Sequence, residues 1–163
     1  MDHSEQLWEI EQIKQLKARY FRYLDTKQWP KYRALFTDDA RIWTSSTGEN
    51  DEPGFGTPDA FVEWMQTRHD ADRAVSVHQG HMPEIEVLDE RHARGIWALF
   101  DWVDRPRQRA FQGFGHYYEE YRKEPDGGWR INTMRITRIR VDQMDSSLEA
   151  APNYGWVPPF WPR

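Results

Sequence analysis

The hydrophobic period of this chain changes once, near residue 74, and that change limits the folds open to it. Before it, apolar residues recur at spacings of three and four; after it, they alternate along extended runs joined by short turns. The first pattern predicts one amphipathic helix over 4–26. Leu7, Ile10, Ile13, Leu16, Tyr20 and Leu24 form its apolar stripe, and Glu5, Glu9, Glu11, Lys14, Lys17 and Arg22 its polar face. Asp2 or Ser4 is placed to cap it. A short second helix enters at Trp29-Pro30, turns Tyr32, Leu35 and Phe36 inward, and stops at Thr37-Asp38-Asp39; 40–44 reads as a short strand. Residues 45–57 form a polar loop rich in Gly and Pro. Thr57 as cap and Pro58 at the first position open a third helix, with Phe61, Trp64, Met65 and Arg68 on one side.

The second pattern predicts four strands: 74–87 with a break near Gln79-Gly80, 93–104, 108–121 and 129–142. Short turns between long strands make an antiparallel meander. Three helices followed by such a sheet give an α+β layout, in which the curved sheet closes over the long helix and encloses a cone. One domain over 1–142 is expected. Residues 143–163, rich in Pro and aromatics, are expected to lie against it or against a neighbouring subunit.

Composition bears on what such a cone holds. Aromatic residues make up 15% of the chain, which excludes wholesale disorder and suits a small hydrophobic ligand. With 27 acidic against 22 basic residues, the chain lacks the clustered cations of a nucleic-acid footprint. There is no Cys, so disulfides and thiol chemistry are absent. No apolar run approaches the roughly 20 residues of a membrane span. The charged, amphipathic start does not read as a signal peptide, and a cytoplasmic location is expected.

Asp25 falls near the C-terminal end of the first helix, where the dipole disfavours a carboxylate by about 0.3–1 kcal/mol. Turned inward, it needs a cationic or N–H partner, and His78 is the candidate. A carboxylate on one imidazole nitrogen fixes the tautomer and leaves the other nitrogen as a base. The plain alternative is a solvated Asp25 and a half-buried His78. His78-x-x-His81 is a poor metal pair, because strand residues three apart face opposite ways and no HExxH or facial-triad spacing accompanies them. No phosphate-cradling glycine pattern opens a helix either, so no metal and no organic cofactor is expected. His3, His69 and His92 read as surface residues. His116, Tyr118 and Glu120 share one face of their strand and Tyr117, Glu119 and Tyr121 the other; which set lines the cone is left open. Both faces of strand 93–104 are apolar, which predicts cover on both sides and a homodimer or homotrimer. The arginines of the last strand, Arg130, Arg135, Arg138 and Arg140, suit either an anionic group or structural ion pairs.

Three segments resemble a known family: IKQLKARYFRYLDTKQWPKYRALFTDDARIW (13–43), VHQGHMPEIEV (77–87) and GFGHYYEEYRKEPDGGWRI (113–131). They are similar to the SnoaL-like branch of the nuclear transport factor 2-like superfamily, which includes scytalone dehydratase, bile-acid 7α-dehydratase, polyketide cyclases and ketosteroid isomerase relatives. The resemblance implies the NTF2-like cone and a cofactor-independent lyase or isomerase acting on a small hydrophobic carbonyl compound. It implies catalytic roles for Tyr20, Asp25 and His78 and accessory roles for Asp101, for Arg138 or Arg140, and for His116 as a second histidine. Leu24 stands where scytalone dehydratase has a tyrosine, a departure that argues against that activity itself. If Tyr20 is the acid, activity should fall again at high pH, near the roughly 10 of free tyrosine or somewhat below it where an oxyanion is stabilised nearby. The alternative is a non-catalytic ligand-binding or scaffolding subunit, similar to the small subunit of ring-hydroxylating dioxygenases.

Overall fold

The computed structural model describes residues 1–44, 53–70, 73–106 and 109–146. Its elements, in chain order, are α1 (His3–Asp25), α2 (Trp29–Arg33), β1 (Phe36–Trp43), α3 (Pro58–Asp70), β2 (Val75–Val87), β3 (His92–Asp104), β4 (Arg109–Lys123) and β5 (Trp129–Asp145). They form the α+β arrangement expected, with one five-stranded sheet in the order β1-β5-β4-β3-β2. The strands β2 to β5 make the antiparallel meander; β1 joins its edge in parallel to β5.

Asp2 and Glu5 cap α1 reciprocally, each side chain accepting from the other's backbone N–H at 2.8 and 2.7 Å. The helix buries Ile13, Leu16, Tyr20 and Leu24 against the sheet. Two residues depart from the expected stripe. Leu7 is 67% exposed, and burial of the stripe starts only further along α1, with Ile10 partly buried and Ile13 fully so. Lys17, expected on the polar face, is only 1% exposed. It lies four residues after Ile13 and three before Tyr20, on the same face as both. The second helix ends at Arg33, four residues before the expected stop. Leu35 and Phe36 are buried as expected, but in the turn and at the start of β1. Strand β1 therefore begins four residues earlier than the short strand expected over 40–44, and pairing with β5 holds it. Thr57 caps α3, its hydroxyl accepting from the Ala60 N–H at 3.2 Å.

Strand β2 is continuous through Gln79-Gly80; its irregularity comes later, between His81 and Glu84, where Met82 has φ 45°. The inner face of the sheet follows parity. Ser76 and His78 of β2, Trp97, Leu99, Asp101 and Val103 of β3, and Tyr117, Glu119 and Tyr121 of β4 are buried. In β5 a bulge changes the parity. Phe114 pairs with Arg140 while Gly115 pairs with Arg138, so Ile139 is extra and stands 74% exposed. The outer face of β3, from Ile96 through Ala98 and Phe100 to Trp102, is half-buried in the single chain rather than covered. Of the C-terminal segment, 143–145 extend β5, and the rest of the expectation for it lies outside the described residues from 147 onward. Among the described residues, no helix is long and apolar enough to cross a membrane.

Candidate active site

The inner sheet face, α1 and α3 enclose a cavity of about 250 Å³, lined by residues that include Tyr20, His69, His78, Asp101, Tyr117 and Arg138. Asp25 and His78 meet at its edge. The Asp25 Oδ1 lies 2.6 Å from His78 Nδ1 and also accepts from the Ser76 hydroxyl at 2.8 Å; Oδ2 accepts from the His78 backbone N–H at 2.9 Å. Three donors from one strand thus hold a carboxylate that its own helix end disfavours. Because the carboxylate accepts, Nδ1 carries the hydrogen, and in the neutral ring it is Nε2 that holds the lone pair. Ser76 had no place in the sequence reading. Its signal was there, two residues before His78 and therefore on the same strand face.

Tyr20 is buried and lines the cavity. Burial pushes its hydroxyl well above the ordinary tyrosine range; the neighbouring Tyr32 hydroxyl opposes this, and the carboxylates of Glu119, Asp101 and Asp25 add to it. Tyr20 therefore stays a neutral O–H, and a high-pH loss of activity near 10 is not to be expected from it. Asp101 and Arg138 form a two-pronged pair across β3 and β5, at 2.8 and 2.6 Å. The pair runs over Gly113, where a Cβ would come within 2.2 Å of Asp101 Oδ1 and 2.3 Å of Arg138 Nη1.

Two of the expected accessory residues lie elsewhere. His116 sits on the outer face of β4, its ring 6.0 Å from that of Tyr118, because Tyr117 and Glu119 take the inner positions. Arg140 follows the bulge, points outward and pairs with Asp142 at 2.7 Å, whereas Arg138, before the bulge, points in. His81 is exposed, and its Nε2 meets Gln79 Oε1 at 3.1 Å on the face away from His78. Among the described residues, no group of three or more His, Asp or Glu is placed to hold a metal ion. His3 and His92 are exposed as expected, but His69 is buried. It lies four residues after Met65 on the inner stripe of α3, and that spacing was its signal.

Beneath the cavity, Lys17 and Glu119 form a fully buried ion pair at 2.5 Å. The Tyr121 hydroxyl donates to the second Glu119 oxygen, and the Trp97 indole N–H donates to the Tyr121 oxygen at 2.8 Å. The Lys17 ammonium also lies 3.5 Å from the Tyr117 ring centroid and 4.2 Å from that of Tyr20. Burial brings its pKa down to about 8, against the pull of Glu119.

Solved structures share this architecture. A scytalone dehydratase candidate from Novosphingobium aromaticivorans superposes with a TM-score of 0.76 at 18% identity, over 96% of this chain and 99% of its own. The hexachlorocyclohexane dehydrochlorinase LinA-type3 from Novosphingobium barchaimii gives 0.75 at 14% identity, over 93% and 99%. Rv3472 from Mycobacterium tuberculosis, a protein of unknown function, gives 0.68 at 24% identity, over 84% and 75%. At these identities the likeness carries the fold. Residues 5–135 match the SnoaL-like domain family over most of the chain, and the protein belongs to that family.

Proposed function

We propose that this protein is a cofactor-independent lyase or isomerase that acts on a small hydrophobic carbonyl compound. The observation that carries the reading is the Asp25–His78 contact at the edge of an aromatic-walled cavity. His78 Nε2 takes the proton from the carbon next to the carbonyl, and Asp25 stabilises the imidazolium that forms. The electron pair left on that carbon becomes a new double bond. In an elimination the group on the adjacent carbon departs with its bonding pair; in an isomerisation a proton is returned further along the chain. The Tyr20 hydroxyl, its pKa raised, gives up a full proton reluctantly, so it serves as a hydrogen-bond donor to the developing oxyanion or departing hydroxyl. The imidazolium supplies the proton that a departing hydroxide needs. That relatives in fold include a dehydratase candidate and a dehydrochlorinase supports this chemistry. The half-buried apolar outer face of β3 supports a homodimer or homotrimer, checked by sedimentation of the purified chain.

The test is a screen of hydroxy-ketones and enones for a change in ultraviolet absorbance. The wild-type protein is expected to turn over at least one of them, and His78→Ala to lose about 10²-fold or more in kcat/KM. A purified wild-type protein inert towards the whole panel, or a His78→Ala variant at full rate, would refute the reading.

A further inference from the structure

The cavity contains a second histidine that the dyad does not use. His69 occupies the last turn of α3, with its ring 6.1 Å from that of Trp29 and 6.3 Å from that of His78. Its Nδ1 lies 2.9 Å from the Met65 carbonyl oxygen. A carbonyl oxygen only accepts, so Nδ1 carries the hydrogen and Nε2 keeps the lone pair. Nδ1 is thus tied back to its own helix, Nε2 is the ring nitrogen left over, and His69 is one of the residues that line the cavity. Nε2 is buried and has no hydrogen-bond partner among the described residues, in a residue only 3% exposed.

Protonation offers no remedy. Burial above all, then the neighbouring His78, Arg105 and Lys27, bring the His69 pKa down to about 4. At neutral pH this nitrogen accepts and never donates. Native proteins satisfy their buried acceptors, and an orphan at the wall of a ligand-sized cavity marks where a ligand's donor completes the set.

We propose that His69 Nε2 is the acceptor for a hydroxyl group of the ligand, so that the cavity selects hydroxylated ring compounds over their deoxy counterparts. This rests on the reading of the cavity as the substrate site, and it concerns recognition rather than proton transfer. The size of the ligand follows from the cavity: about 150 Å³ accommodates benzene, and the 250 Å³ here suits two fused rings. Phe61, Trp64, Phe111 and Tyr117 supply the apolar walls.

The experiment is a binding cycle with 2-naphthol and 2-fluoronaphthalene, near-isosteric probes of which only the first donates, read by calorimetry. The wild-type protein is expected to prefer the naphthol about tenfold. His69→Phe is expected to lose that preference while holding 2-fluoronaphthalene as before, and His78→Ala to keep it. A preference that survives in His69→Phe and vanishes in His78→Ala would overturn the proposal and leave the proton-transfer reading intact. Equal affinity for the two probes in the wild type, or no binding of either, would also overturn it. A hydroxyl preference that depends on His69 in a protein inert towards every carbonyl substrate would do the reverse, sinking the lyase reading alone. Should His69→Phe fail to fold, ¹⁵N spectra of the wild-type imidazoles decide. The neutral Nδ1–H tautomer at pH 6 is expected for His69; an Nε2–H tautomer or an imidazolium would refute the assignment.

Discussion

Replacing Lys17 by Met keeps most of the apolar stem of the side chain and removes the ammonium with its charge and its N–H donors. Glu119 would then be a buried carboxylate with the Tyr121 hydroxyl as its remaining donor in place of two partners. Lys17 is 1% exposed in its side chain and Glu119 is fully buried, so water does not reach the orphaned charge. Breaking such a pair from one side costs about 3–5 kcal/mol. For a chain of this length that lowers Tm by roughly 10 °C, and it moves a urea midpoint by roughly 2 M. The loss of the ammonium from the Tyr117 and Tyr20 rings adds to it. The assay is urea unfolding of the wild type, Lys17→Met, Glu119→Gln and the double variant. The double variant should be more stable than Lys17→Met alone, because the amide that Glu119→Gln introduces carries no charge and still accepts from Tyr121. A Lys17→Met protein within about 1 kcal/mol of wild type would refute the reasoning, as would a double variant that loses the simple sum of the two single losses.

Gly113→Ala should cost about 1–3 kcal/mol and part Asp101 from Arg138, since its methyl would occupy the space between them; unfolding measurements and an arginine side-chain NMR signal check both. His69 makes stability depend on pH. Its folded pKa of about 4 lies below the roughly 6.5 of an unfolded imidazole, so its contribution is complete above 6.5 and is lost as pH falls towards 4. That loss amounts to about 3 kcal/mol, and His69→Phe should flatten the wild-type curve by that much between pH 7 and 4. Tyr20→Phe should reduce kcat/KM without moving a high-pH limb, because the raised pKa of the Tyr20 hydroxyl places none below pH 10 or so in the wild type; a wild-type profile that falls near pH 9 through Tyr20 would contradict this.

The sequence carried the elements and the dyad, and it lost what depends on register. Asp25 and His78 were legible because a helix end and an inward strand position each restrict where a carboxylate and an imidazole can go. Lys17 and His69 share one reason for lying inside where their residue type points outward: each stands four positions after a buried apolar residue, and that helical spacing turns it onto the inner stripe. His116 and Arg140 failed differently. Alternation leaves open which face of β4 looks inward, and the extra residue at Ile139 reverses the parity of β5 between Arg138 and Arg140. A bulge of this kind leaves no composition signal. The parallel pairing of β1 with β5 joins residues about 95 apart in the chain, beyond the reach of any local pattern.

The central claim is that His78, held by Asp25, removes a proton from carbon inside the cavity. The most direct measurement follows α-hydrogen exchange of a bicyclic ketone, 2-tetralone, in D₂O by NMR, which needs no leaving group and reads that step alone. The wild-type protein should accelerate exchange over buffer, His78→Ala should lose about 10²-fold or more of the acceleration, and Asp25→Asn should fall between them. Exchange at the buffer rate with wild-type protein, or undiminished exchange with His78→Ala, would contradict the account.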